Sequence, residues 1–249
     1  MEEIKKSQLS EYFYKNKHLL GFTYPGKNLV IIIHELVTNS LDNCIINNIK
    51  PEISIDIKSI GKEGDEPYFL ITVSDNGTGI AEKYLSTIFS QFLQGSKFNV
   101  NRETLGQQGI GASGVVMFSK ITTGKQTELI TSDGKNKYDV LIDMDITTGK
   151  SLNKIISKTP SNEKERGTTI KVYAKNVAYS TGQSSVDEYI KLIWLANPFA
   201  HITLKKPDGT KVEYKPIVNE MPAPPKILPY HPLGLSAHDL ITIFNKEKE

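Results

Sequence analysis

The longest apolar segment of the chain runs from Val30 to Cys44 and carries polar residues at a regular spacing. Glu35, Asn39 and Asp42 stand at i, i+4 and i+7, so they would share one face of a helix. A buried polar group without a hydrogen-bond partner costs about 2–7 kcal/mol, so such a stripe needs partners. The pattern therefore predicts a helix whose stripe faces a ligand, a metal or a hydrated pocket. The alternative is the solvent-exposed face of an ordinary amphipathic helix.

The rest of the chain alternates runs of strand character with a few helical segments. Glu52–Ile60 and Tyr68–Val73 predict a hairpin, and Pro25 with Gly26 is expected to break the chain before the first helix. Further strands are predicted at Glu128–Thr131, Tyr138–Met144, Leu152–Thr159, Thr168–Val177, Ile202–Leu204 and Lys211–Tyr214, and further helices at Glu82–Leu93, Ala112–Lys120 and Val186–Leu195. Consecutive strands after a few helices favour a mixed-sheet sandwich over a doubly wound parallel sheet.

The second predicted strand runs into the motif Asp75-Asn-Gly-Thr-Gly-Ile80. A carboxylate at a strand end followed by Gly77 and Gly79 suits the floor of a pocket, because glycine lets the backbone approach a ligand closely. A simple Asp-Asn-Gly turn has the same local chemistry and remains the alternative.

A polar, glycine-rich stretch from Gly95 to Gly114 precedes the helix predicted at Ala112. Backbone amides in such a stretch can surround phosphates where it enters a helix, and its flexibility suits a lid. Gly109–Gly114 matches the dinucleotide fingerprint GxGxxG, with Asp133 at the expected acidic spacing, but no strand precedes it. We therefore reject a dinucleotide-binding dehydrogenase. The sequence contains no GxxxxGK[ST], which excludes the P-loop class.

Composition narrows the function classes only a little. A single cysteine, Cys44, excludes an internal disulfide framework and a cysteine-based zinc site, and a net charge of +2 decides nothing about nucleic acid. The N-terminus, rich in lysine and glutamate, lacks a signal-peptide pattern, and we expect a cytoplasmic protein without a membrane partner.

Four segments together, HELVTNSLDN, DNGTGI, GQQGIGASG and GTTI, resemble the four boxes of the GHKL ATPases in order and spacing. Within that family the glycine-rich segment and its continuation are most similar to the B subunits of type II DNA topoisomerase VI. The resemblance implies an α+β Bergerat fold, a two-layer sandwich whose mixed, mainly antiparallel sheet is covered by helices on one face. It also implies an N-terminal strap at 1–22, an ATP-binding domain at 23–221, and at 222–249 a proline-rich linker with the start of a helix-two-turn-helix domain.

The resemblance further implies ATP and Mg²⁺ as cofactors and gives roles to individual residues. Glu35 matches the general base, Asn39 the Mg²⁺ ligand and Asp75 the acceptor for the adenine amine. Asp42 would support the adenine pocket or a partner side chain, and Thr169 would contact Asp75 and the base. The remaining positions that match nucleotide-binding residues are Gly77, Gly79, Ile80, Ser96, Lys97, Leu105, Gly106, Gln107, Gln108, Gly109, Ile110, Gly111 and Ala112.

The resemblance implies partners as well: a second copy of the B subunit on ATP binding, a DNA-cleaving A subunit, and double-stranded DNA in the full assembly. In that family a lysine from a later transducer domain contacts the γ-phosphate, so we expect this sequence to be the N-terminal part of a longer protein or a truncated relative, and on its own a weak ATPase. Two alternatives stay open. A nucleotide-binding module without hydrolysis shares the same boxes, whereas a histidine kinase would need a phospho-accepting helical domain in the 34 residues before Glu35.

Overall fold

The structure, a computed structural model, describes residues 21–63, 66–86, 111–145 and 151–223. The helices in these ranges are α1 (Pro25–Ile46), α2 (Glu82–Leu85), α3 (Gly111–Thr123) and α4 (Val186–Ala196), with a 3₁₀ turn at Glu163–Glu165. The strands are β1 (Glu52–Glu63), β2 (Glu66–Asp75), β3 (Thr127–Ser132), β4 (Asn136–Met144), β5 (Ser151–Pro160), β6 (Gly167–Ala174), β7 (His201–Lys205) and β8 (Lys211–Tyr214). The predicted strands are all present. The helix predicted at Glu82–Leu93 lies mostly outside the described residues.

The strands form one sheet in the order β5-β4-β3-β6-β2-β1-β7-β8. β1 and β7 pair in parallel, and each of the other neighbouring pairs is antiparallel. The sheet is therefore mixed and mainly antiparallel, as predicted. Side chains at alternate positions, such as Ile53, Val73 and Leu129, are buried in one core together with the apolar sides of α1, α3 and α4. The two-layer α+β sandwich is thereby confirmed.

Helix α1 forms the centre of the helical layer. With 22 residues, the helix is long enough and apolar enough to cross a membrane, judged by length and composition alone. In the fold its apolar side chains instead lie in the protein core, where Leu29, Ile33 and Leu41 are fully buried. Burial on several sides accounts for the apolar composition of this helix.

The start of α1 differs from the sequence prediction. Pro25 does not break the chain before the helix but is its first residue, where the missing amide hydrogen costs nothing. Asn28 stabilises the N-terminal end of α1, because its Oδ1 accepts a hydrogen bond from Thr23 N at 2.8 Å and its Nδ2 donates one to Asn176 O at 2.9 Å.

The segment before α1 is anchored by an aromatic pair. Phe22 is buried, and its ring stacks on that of Phe118 in α3 with centroids 4.3 Å apart and planes 13° apart. Phe22, predicted as the last residue of the strap, thus belongs to the core of the folded domain. Residues 1–20 of the strap and 224–249 of the C-terminal segment lie outside the described part of the chain.

Candidate nucleotide-binding site

The polar stripe of α1 is enclosed rather than presented to solvent. Glu35 and Asn39 are half-buried, and Asp42 is only 8% exposed. Asn39 Nδ2 donates to Glu35 O at 2.7 Å, so the amide nitrogen of this side chain is engaged with the helix backbone. The alternative of an exposed amphipathic face is therefore wrong.

The carboxylate of Glu35 lies against Gly111, the first residue of α3. It fills the space in which the Cβ of any other residue at 111 would lie. Glycine at 111 therefore lets a carboxylate reach the N-terminal end of a helix, where unpaired amides favour negative charge. Ala112 follows in the same helix. The other predicted residues of the glycine-rich loop, Ser96, Lys97 and Leu105 to Ile110, lie outside the described residues.

Asp75, at the end of β2, accepts hydrogen bonds on both carboxylate oxygens. Oδ1 accepts from Gly77 N at 2.9 Å and from Thr168 N at 3.2 Å, while Oδ2 accepts from Ser40 Oγ at 2.9 Å. Each carboxylate oxygen can accept about two hydrogen bonds. Oδ1 is thus fully used, and among the described residues Oδ2 keeps one acceptor position.

The protein environment raises the pKa of Asp75 above its ordinary value of 3.8. Burial is the largest cause, and the hydrogen bonds from Gly77, Ser40 and Thr168 oppose it by stabilising the charged form. A carboxylate whose burial disfavours its charged form, and which keeps one hydrogen-bond acceptor position, is typical of a binding site.

The threonine that contacts Asp75 is not the predicted one. Thr169 Oγ1 donates to Ser74 Oγ at 2.8 Å, whereas the backbone amide of Thr168 bonds to Asp75. In the β2–β6 register Asp75 pairs with Thr168 and Ser74 with Thr169. Because side chains alternate along a strand, Thr169 points to the opposite face of the sheet from Asp75. The predicted contact between Thr169 and Asp75 is therefore wrong by one position.

The motif after Asp75 packs tightly against its neighbours. Gly79 has φ +71°, and the carbonyl of Ser132 occupies the place of a Cβ at 79. Thr78 Oγ1 donates to Asn43 Oδ1 at 2.9 Å, which ties the motif to α1. Ile80 N donates to Thr131 Oγ1 at 2.9 Å, which ties it to β3. These contacts make the motif a fixed wall rather than a free turn.

The residues that the sequence analysis missed are those that hold Asp75 and this wall in place. They are Ser40, Asn43, Thr131 and Thr168. Asn43 stands at i+4 from Asn39, so the helical spacing could have added it to the stripe. Thr131 offered no signal, since its contacts depend on strand register.

The charge of Glu35 also reaches α4. Burial and the negative charge of Glu35 together raise the pKa of Tyr189, whose hydroxyl lies 3.2 Å from His34 Nδ1. The described residues contain no group of three or more His, Cys, Asp or Glu side chains arranged to hold a metal ion.

Comparison with known proteins decides the family. The sequence profile described as "Histidine kinase-, DNA gyrase B-, and HSP90-like ATPase" matches residues 26–177. The chain belongs to this ATPase family. The matched range contains α1 except for Pro25, the motif after Asp75 and all of β6, which are the elements that build the site.

Two relatives are similar along almost the whole chain. The B subunit of type 2 DNA topoisomerase 6 from Pyrococcus furiosus is 40% identical over 250 residues, covering 99% of this chain and 43% of the relative. The B subunit of the same enzyme from Methanothermobacter thermautotrophicus is 38% identical over 236 residues, covering 93% of this chain and 44% of the relative. The chain thus spans less than half the length of these curated relatives of the ATPase family.

A solved structure supports the fold. The 43K ATPase domain of Thermus thermophilus gyrase B, in complex with an aminocoumarin, superposes with a TM-score of 0.51 at 17% identity, covering 85% of this chain and 52% of that one. At this level of identity the likeness concerns the fold of the ATPase domain only.

Proposed function

We propose that the chain is the ATP-binding and ATP-hydrolysing part of a B subunit of the type II DNA topoisomerase VI class. In this proposal ATP closes two copies of the B subunit into a dimer, and the closure gates DNA strand passage by a partner A subunit. Mg²⁺ is the accompanying cation, and the cytoplasm is the site of action. The relatives, both B subunits of topoisomerase 6, support the class, and membership of the ATPase family supports the chemistry.

The observation that carries the proposal is the environment of Asp75. A buried carboxylate with Oδ1 fully bonded and one acceptor position on Oδ2 is suited to a ligand that offers an N–H group. The exocyclic amine of adenine is such a donor, and a buried charged acceptor makes a strong hydrogen bond to it. Guanine and hypoxanthine would place a carbonyl oxygen at the same position and be repelled.

In this proposal two residues of α1 act where the phosphates of ATP would lie. Glu35 is the general base that orients and deprotonates the water attacking the γ-phosphate, and its carboxylate lies at the N-terminal end of α3. Asn39, one helical turn later, offers its amide oxygen to Mg²⁺. When bound, the cation neutralises phosphate charge. The glycine-rich loop that leads into α3 would supply backbone amides to the phosphates.

A titration tests the proposal against the NAD binding that the GxGxxG match would imply, and a turnover measurement tests it against a nucleotide-binding module without hydrolysis. We expect calorimetry to show binding of ATP that is strengthened by Mg²⁺ and no binding of NAD at comparable concentrations. Absence of ATP binding, or tight binding of NAD, would contradict the proposal. Single-turnover measurements with bound Mg²⁺-ATP then separate an ATPase from a nucleotide-binding module without hydrolysis, in which bound ATP would stay intact.

A further inference from the structure

Thr131, on β3, joins the glycine motif after Asp75 to the start of β6 through one hydroxyl group. The residue is 1% exposed. Its Oγ1 lies 2.9 Å from Ile80 N, 3.2 Å from Gly167 O and 3.1 Å from Thr168 Oγ1. Ile80 closes the glycine motif after Asp75, whereas Gly167 and Thr168 begin β6.

The chemistry of these three neighbours fixes the direction of each hydrogen bond. A hydroxyl group donates one hydrogen and accepts about two. Ile80 N can only donate and Gly167 O can only accept, so Thr131 receives the first and donates to the second. The Thr131 proton is then used, and the contact between the two hydroxyls is made by the proton of Thr168. This is the one arrangement that satisfies all three contacts.

The arrangement leaves Thr168 with lone pairs but no free proton. Thr168 is the cross-strand partner of Asp75 on the same face of the sheet, and its amide bonds to Asp75 Oδ1. Two neighbouring groups on the floor of the site, a carboxylate and a hydroxyl, would thus both act as acceptors. Such a floor favours a base whose exocyclic group is a hydrogen-bond donor, as in adenine, over a base whose exocyclic group is a carbonyl oxygen.

We propose that Thr131 is a positioning residue that holds the Thr168 hydroxyl in its acceptor direction and fixes Ile80, and that it thereby contributes to selection of an amine-bearing base. The inference rests on the proposed function, since it assumes that the base of a nucleotide lies over Asp75. In Thr131→Val the proton of Thr168 loses its acceptor and becomes free to donate to a carbonyl oxygen, while Ile80 N loses its partner.

The test compares ATP with ITP, which carries a carbonyl oxygen in place of the amine. Dissociation constants for both, with Mg²⁺, are measured by calorimetry on the whole chain for the wild type, Thr131→Val and Thr131→Ser. The matched control is Thr127→Val on the same strand, because Thr127 is equally buried and its Oγ1 has no hydrogen-bond partner among the residues described. If Thr131→Val does not fold, Thr131→Cys carries the same test, since a thiol is a weak hydrogen-bonding group.

In Thr131→Val we expect the preference for ATP over ITP to fall by about three- to tenfold, the worth of one neutral hydrogen bond. Thr131→Ser and Thr127→Val should keep the wild-type preference. An unchanged preference in Thr131→Val, or equal weakening of both nucleotides, would show that Thr131 only packs, and would overturn the inference alone. A wild type that binds neither nucleotide would instead contradict the proposed function and, with it, this role of Thr131.

Discussion

Replacing Asp75 by asparagine is the most direct test of how the site recognises the base, because the hydrogen-bond pattern predicts the orientation of the new amide group. Oδ1 accepts from the amides of Gly77 and Thr168, so the amide oxygen must take that place. The NH₂ group then replaces Oδ2, where Ser40 now donates. Asp75→Asn therefore turns the acceptor that faces the base into a donor.

The magnitude follows from the kind of bond that is lost. A hydrogen bond to a charged group contributes about 1.5–3 kcal/mol, so ATP affinity should fall by about 10- to 150-fold. ITP and GTP, which present a carbonyl oxygen, should gain relative to ATP. The control is Asp208→Asn in the exposed β7–β8 turn, where the side chain bonds Thr210 N and asparagine is equally suited. Unchanged calorimetric affinities of Asp75→Asn for ATP and ITP would refute the role of Asp75.

Unfolding measurements test the raised pKa of Asp75 and show whether Asp75→Asn still folds. Because burial raises the pKa of Asp75, the protonated form suits the fold better than the charged form. The stability that this group contributes is therefore full below its unfolded pKa, near 3.8, and is lost as pH rises through the higher folded value. We expect urea unfolding to show the wild type gaining stability relative to Asp75→Asn as pH falls from 7 to 4. A difference that is constant with pH would contradict the raised pKa.

Three further substitutions test separate parts of the molecule. Glu35→Gln should retain Mg²⁺-ATP binding but lower single-turnover hydrolysis by about 10²–10⁴-fold, and hydrolysis at the wild-type rate would contradict the general-base role. Asn39→Ala should weaken ATP binding in Mg²⁺ but not in EDTA, and a loss of equal size in both would contradict the metal role. Phe22→Ala should lower the free energy of unfolding by about 3–5 kcal/mol in urea titrations, because it removes the partner stacked on Phe118; a loss below about 1 kcal/mol would mean that the segment before α1 is not part of the core.

Local patterns in the sequence determined the helices and strands, and they identified the polar side chains of α1 and the carboxylate of Asp75 as candidates for the site. The alternation of isoleucine with polar residues in β1 predicts a strand because one face of the sheet is buried. The spacing of Glu35, Asn39 and Asp42 predicts one helical face, and the structure encloses that face. The carboxylate of Asp75 before two glycines predicted a pocket floor where the backbone approaches a ligand. The structure gives Gly79 a different reason, because the carbonyl of Ser132 occupies the place of its Cβ.

Strand register and packing decided the rest, because they depend on residues far apart in the chain. The sequence cannot say whether Thr168 or Thr169 faces Asp75, since a shift of one residue moves every side chain of a strand to the other face. The hydroxyl of Thr131 meets Thr168, 37 residues away, because β3 pairs with β6, and it meets Ile80, 51 residues away, because β2, which leads to Ile80, pairs with the other edge of β6. Glu35 meets Gly111 for a similar reason, because α1 and α3 pack side by side in the helical layer. Periodicity reports which residues share a face of one element, whereas the partners of that face are set by the tertiary fold.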